Sequence, residues 1–87
     1  MLGQEFIVQE YIALPLLIDN TKFDLRLYML ITSLRPFNAY ICKEGMARFC
    51  TVEYELPTNK NLKNEFMHLT NYSLNKKNLD YKFVSNN

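Results

Sequence analysis

Eighty-seven residues allow one small domain at most, and a chain of this size buries only about 60–65% of its unfolded surface. The composition is 48% hydrophobic and 22% charged with a net charge of +1, which gives no bulk electrostatic case for a nucleic-acid partner. No apolar run approaches the 18 or so residues of a membrane-spanning helix, and a basic region followed by an apolar stretch, the mark of a signal peptide, is not found at the N-terminus.

In chain order, residues 6–12 (Phe-Ile-Val-Gln-Glu-Tyr-Ile) are rich in β-branched and aromatic side chains and predict a buried strand. Pro15 interrupts the apolar stretch at 14–18, and Asp19-Asn20-Thr21 predicts a turn. Residues 22–33 predict one long strand. Arg35-Pro36 marks a second turn, because proline fixes φ and restricts its predecessor. Residues 37–43 predict the returning strand of a hairpin. Glu44-Gly45 predicts a turn in which glycine supplies positive φ, and 47–52 a shorter strand carrying Arg48. A polar Asn/Lys loop over 57–63 and a short helical turn over 64–69 follow. The run His68-Leu69-Thr70-Asn71-Tyr72-Ser73 is polar and shows no period, and a polar tail from Asn75 is expected to fray.

The fold class expected is α+β, mainly antiparallel sheet with almost no helix. One face of that sheet is apolar, and the chain offers too few other elements to cover it. The pattern reads as the middle of a larger domain, present as a fragment or a truncated product.

Within the long strand, Lys22-Phe23-Asp24-Leu25-Arg26 alternates polar and apolar without a break. A period of two places Lys22, Asp24 and Arg26 in a row on one face. At about 3.3 Å per residue the two cations lie roughly 13 Å apart, close to the reach of a nucleoside triphosphate from ribose to terminal phosphate. Cation, anion and cation in line suit phosphate, ribose hydroxyls and phosphate. An ordinary solvated strand face carries the same alternation, so the spacing leaves both readings open. Cys42 and Cys50 form no C-x-x-C pair and the single His68 is distant in sequence, which is too little for a zinc site. Two unpatterned cysteines suit a reducing compartment and predict small core residues. His68 reads as structural, since nothing in sequence places a proton donor beside it.

Four blocks together resemble the tubulin–tyrosine ligase-like family, in order and spacing, over nearly the whole chain. The first is Val8-Gln9-Glu10-Tyr11-Ile12 with Pro15-Leu16-Leu17-Ile18. The second is Lys22-Phe23-Asp24-Leu25-Arg26-Leu27-Tyr28, and the third Glu44-Gly45-Met46-Ala47-Arg48-Phe49. The fourth is Met67-His68-Leu69-Thr70-Asn71-Tyr72-Ser73-Leu74-Asn75-Lys76. That family uses the ATP-grasp fold and joins an amino acid to a protein carboxylate, so the resemblance implies an incomplete ATP-grasp domain over residues 1–87.

By that resemblance, Gln9, Glu10, Tyr11 and Ile12 form the linker whose backbone meets the adenine edge. Lys22, Phe23 and Asp24 contact ribose and phosphate, and Arg26 is a phosphate ligand with a catalytic part. Arg48 holds the incoming amino acid's carboxylate or the acyl-phosphate. Thr70 and Asn71 make the second nucleotide contact, and Tyr72, Ser73 and Lys76 line the amino-acid pocket. ATP and Mg²⁺ are the implied cofactors. The metal's Asp and Glu-x-Asn ligands fall downstream of this chain and the triphosphate-contacting lysines upstream, so no residue of the chain is assigned to metal.

The fourth block is most similar to the glutamate-adding branch. The implied partners are free glutamate and the acidic C-terminal tails of tubulin, toward which Lys60, Lys63, Lys76, Lys77 and Lys82 would face. The implied setting is the cytoplasm and its microtubules, cilium and basal body among them, with neither nucleic acid nor membrane as partner. Two other readings stand beside an enzyme: a truncated, non-catalytic paralogue that binds nucleotide or tubulin tails, and a small β unit that engages a partner through its uncovered face.

Overall fold

The computed structural model describes residues 3–81. Five short strands and two single-turn helices run in the order β1 (Leu17–Ile18), β2 (Thr21–Arg26), β3 (Met29–Leu34), β4 (Phe37–Ile41), β5 (Met46–Phe49), α1 (Glu65–His68) and α2 (Tyr72–Asn75). All strand pairings are antiparallel. One sheet has the order β1-β2-β5, and β3 and β4 form a separate two-stranded sheet.

The turn at Asp19-Asn20 forms as expected. Both residues take positive φ, 53° and 60°, so a two-residue loop reverses the chain between Ile18 and Thr21. Asn and Asp are the side chains that tolerate this left-handed region, and such a turn matches the strand twist.

The long strand does not run through. Residues 22–33 divide at Leu27-Tyr28, because the hydrogen-bonding partner changes there. Up to Arg26 the strand pairs with β5, and from Met29 it pairs with β4. The alternation of side chains continues across the break, and only backbone pairing separates the two halves. Likewise β5 lies against β2 rather than beside β4, and it is shorter than the 47–52 expected. In the β3–β4 hairpin Thr32 is one residue too many: Ile31 faces Ala39 and Ser33 faces Asn38, which makes a bulge. The turn after it holds a cis Arg35–Pro36 bond.

Residues 6–12 form no strand. Described backbone groups from 3 to 12 make no backbone hydrogen bond, and Phe6, Ile7 and Val8 are exposed, Ile7 to 90%. A strand exists only through a partner, and no described segment pairs its backbone with this one. Composition alone therefore overstated it.

Gly45 serves a different purpose from the one expected. Its φ is not positive; a Cβ there would stand 2.8 Å from Leu27 Cδ2 and 3.2 Å from the Arg26 carbonyl oxygen. Glycine lets the chain entering β5 pass directly over the end of β2. In the full-length gene product Gly45→Ala is expected to destabilise the fold by about 1–3 kcal/mol through overpacking, read as a lowered midpoint in urea at unchanged slope.

Burial is slight. Among the described residues only Cys50, Met67, His68 and Asn75 are buried, and they collect where α1 packs on β2 and against α2. The radius of gyration is 16.7 Å, against about 12 Å for a compact domain of this length. Leu25, Leu27, Met29, Leu30, Leu34 and Phe37 all face solvent.

The two cysteines separate. Cys50 is in the small core and its thiol donates to the Leu69 carbonyl at 3.2 Å. Burial pushes its pKa up to about 11. Cys42, expected in the core, is exposed, because it follows β4 on the uncovered hairpin. Iodoacetamide at pH 8 is expected to label Cys42 and leave Cys50 unmodified until denaturant is added, read by peptide mass.

Candidate functional site

β2 positions the central groups. Phe23 and Phe49 face each other across β2 and β5, their rings stacked at 5.5 Å between centroids and 28° between planes. That pair locks the register on one side of the sheet. Alternation then puts Lys22, Asp24 and Arg26 on the opposite side. The ring of Phe23 points away from these charges, so any contact from Phe23 to a ligand among them would come through its backbone.

Asp24 and Arg48 occupy directly paired positions of β2 and β5. Arg48 Nε donates to Asp24 Oδ1 at 2.8 Å and Nη2 to Oδ2 at 2.5 Å, a bidentate fork. The two side chains keep 26% and 39% of their accessible surface, for Arg48 and Asp24 respectively. The Arg48 hydrogen bond holds the Asp24 carboxyl below the usual carboxylate range; partial burial opposes this, and the Thr70 side chain and the Arg26 charge add to the lowering. Arg48 is held more firmly protonated by the same contact. Both groups are therefore charged throughout the neutral range.

Lys22 reaches toward Tyr11. Its Nζ stands 3.4 Å from the Tyr11 hydroxyl and 4.4 Å from the ring centroid. Arg26 lies over the Tyr28 ring at 5.5 Å. Such contacts of cation with ring hold the two heads in place while leaving them hydrated.

His68 is structural, as its sequence context suggests. It is buried, and its Nε2 lies 3.0 Å from the Asn61 carbonyl oxygen. A carbonyl only accepts, so Nε2 carries the proton and Nδ1 accepts from the Tyr11 hydroxyl at 2.7 Å. The rings of Tyr11 and Tyr54 meet the imidazole edge-on at 5.6 and 5.9 Å. Residues 3–16, without a strand of their own, are tied to the site by this contact and by the Tyr54 hydroxyl, which donates to the Ala13 carbonyl at 2.6 Å.

Gln9, Glu10, Tyr11 and Ile12 are exposed, make no backbone hydrogen bond to other described residues, and line a shallow groove with Ala13 and Leu14. Free paired donors and acceptors are what a purine edge requires. Thr70 is half-buried beside Asp24 and Asn71 is exposed. Tyr72 and Ser73 sit exposed on α2 and Lys76 at its C-cap, with Lys76 Nζ 5.4 Å from the Tyr72 ring centroid. Lys60, Lys63 and Lys77 are exposed, and Lys82 lies outside the described residues.

The structure thus brings Asp24, Arg48 and Thr70 together and sets Lys22 against Tyr11, with Lys22, Asp24 and Arg26 alternating along β2. Gln9, Glu10 and Ile12 stand along the groove, Tyr72 and Ser73 on α2, and Lys76 at its C-cap. Two features escape a reading of the sequence. One is the side chain of Tyr11, whose backbone alone the motif brings to notice. The other is Asn75, wholly buried and hidden in sequence among many asparagines. Its signal is an asparagine with no turn partner inside a helical turn.

Among the described residues no three His, Cys, Asp or Glu side chains converge as metal ligands, and the one carboxylate of the cluster is committed to Arg48. These residues do not fit a Mg²⁺ site. The cations and the open linker do fit a triphosphate and its base.

Lys22, Asp24 and Arg26 in alternation on an antiparallel strand, with a bidentate ion pair from Asp24 across to Arg48 and Thr70 beside it, make up the charged face of a small antiparallel β unit. The profile of the Tubulin-tyrosine ligase family matches residues 1–87, and the chain belongs to that family. It is 64% identical over 69 residues to tubulin polyglutamylase TTLL11 of Homo sapiens, covering 79% of this chain and 10% of the relative. It is 56% identical over 79 residues to tubulin polyglutamylase ttll-11 of Caenorhabditis elegans (90% and 11%), and 55% identical over 80 residues to tubulin polyglutamylase TTLL5 of Mus musculus (92% and 6%). The chain spans about a tenth or less of the length of these curated relatives. Among the described residues no helix is long and apolar enough to cross a membrane.

Proposed function

We propose that this chain is the nucleotide-binding segment of an ATP-grasp ligase that adds glutamate to glutamate side chains in tubulin tails. The observation that carries the reading is the Asp24–Arg48 fork beside Lys22 and Arg26, in a chain whose relatives are named tubulin polyglutamylases. In this reading the backbone of Glu10, Tyr11 and Ile12 takes the adenine edge. Lys22 and Arg26 hold phosphate oxygens, and Thr70 and Asn71 face the ribose and phosphates.

Transfer of the terminal phosphoryl group makes an acyl-phosphate on the acceptor carboxylate. The amine of free glutamate displaces that phosphate, forming the amide. Lys22 and Arg26 neutralise charge on the moving group. Asp24 keeps Arg48 extended across the strands, and the guanidinium N–H groups outside the fork meet the acyl-phosphate or the glutamate carboxylate. Tyr72, Ser73 and Lys76 contact the amino acid. Mg²⁺, held by residues outside this chain, supplies charge neutralisation on the phosphates when bound. In this reading the exposed lysines 60, 63, 76 and 77 face an acidic tail, and the protein works on cytoplasmic microtubules, those of cilia and basal bodies included.

The test uses the full-length gene product with ATP, Mg²⁺, free glutamate and tubulin. Mass increments of one glutamyl unit on tubulin tails, together with a hydroxamate on the tail when hydroxylamine replaces glutamate, support the reading. ATP binding without either product would leave a nucleotide-binding paralogue as the better account.

A further inference from the structure

We propose that Asn75 is a positioning residue whose buried side-chain amide sets the Thr70-Asn71 loop against the β2–β5 pair bearing Asp24 and Arg48. Its functional consequence rests on the proposed nucleotide site.

Asn75 is 0% exposed, and every hydrogen-bonding position of its amide is used. Oδ1 accepts from the Thr51 backbone N–H at 3.0 Å and from the Thr51 hydroxyl at 2.9 Å. Nδ2 donates to the Leu69 carbonyl at 2.7 Å and to the Asn71 carbonyl at 3.0 Å. One nitrogen therefore grips the carbonyls of the residues on either side of Thr70, the residue beside Asp24. One oxygen grips Thr51, whose neighbour Cys50 donates its N–H to the Lys22 carbonyl at 2.8 Å on β2. Asn78 Nδ2 secures the Thr51 hydroxyl from the far side at 2.9 Å.

The chemistry admits few substitutes. Aspartate presents two acceptors and no donor, so it would repel the Leu69 and Asn71 carbonyls. Leucine of similar volume leaves all four partner contacts unmade, at the cost of buried unsatisfied groups. Asparagine is also a poor helix former, so its presence in α2 is explained by this network and not by propensity.

The experiment compares wild-type full-length protein with Asn75→Asp, with Thr51→Val and with both in a Thr70→Val background. The readouts are the dissociation constant of a fluorescent ATP analogue, KM for ATP against kcat, and hydrogen exchange of peptides covering 69–75 and 21–26. Asn75→Asp is expected to weaken analogue binding and raise KM about tenfold, with kcat changed less. Thr51→Val, which removes only a hydroxyl, is expected to move both about two- to threefold. In the Thr70→Val background both effects shrink, because they act through Thr70. Protection at 69–75 falls while that at 21–26 holds.

Unchanged binding by folded Asn75→Asp, effects that add in full to Thr70→Val, or protection lost equally in both peptides would overturn the proposal. Should Asn75→Asp fail to fold, the Thr51→Val and Thr70→Val cycle decides. If wild type binds no ATP analogue, the nucleotide reading falls, and the exchange pattern alone judges whether Asn75 positions the loop.

Discussion

Replacing Arg48 with methionine in the full-length protein is expected to lower turnover about a hundredfold or more, a loss of the size seen when one charge-stabilising donor leaves an active site. Methionine keeps the apolar stem of arginine and removes the fork. Asp24 then stands among backbone and hydroxyl groups without its bidentate partner. Arg48→Lys is expected to rescue little, since an ammonium cannot meet both carboxylate oxygens in one plane. Asp24→Asn is expected to leave Arg48 charged but unanchored, so that KM for ATP or glutamate rises along with the loss in kcat.

The pH dependence of stability separates this pair from a passive surface contact. Asp24 titrates lower in the folded protein than in the unfolded chain. A depressed carboxyl contributes stability that is present above its unfolded pKa and lost as pH falls through the folded one. Wild type is therefore expected to lose more of its thermal midpoint on acidification from pH 5 downward than Asp24→Asn does. Parallel curves for the two proteins would show that the fork contributes nothing to folding. Because both side chains keep contact with water, added salt is expected to narrow the gap between them.

The second large effect concerns the 87 residues taken by themselves. Incubated with ATP, Mg²⁺, tubulin and glutamate, the isolated chain is expected to yield no amide product. It is also expected to bind the apolar dye ANS strongly and to unfold without a cooperative transition. Four buried residues among those described are too few to offset the conformational entropy of ordering the rest. Two-stranded hairpins such as β3–β4 are marginal in water without a third layer. Amide product from the isolated chain would show that its own residues suffice for catalysis, and the assignment of the metal site to residues outside it would fall.

The parts of this architecture legible in sequence are those governed by local rules. The Asp19-Asn20 turn follows from side chains that accept positive φ, and the charge row of β2 follows from a period of two. Both survive whatever packs around them. The placement of Arg48 opposite Asp24 depends on which strand pairs with which, and twenty-four residues separate the two. Alternation cannot report that, and neither can it report that the long strand changes partners at Leu27. The segment at 6–12 fails for the complementary reason: strand-forming residues need a neighbour, and propensity is silent about neighbours. Asn75 is invisible because burial, not residue type, gives it its role. Four motif blocks carry the family, since they compress tertiary information that periodicity lacks.

The Tyr11–His68 contact joins residues fifty-seven positions apart, yet it is made by one hydroxyl on a segment with scant backbone support. Such a joint behaves as a latch. Released, it would free Lys22 from its tyrosine while the β2–β5 ladder and its ion pair stayed whole. Opening of the groove and dismantling of the charged cluster are thus separable events, and a protease would find the chain near residues 6–12 well before it reached the strands.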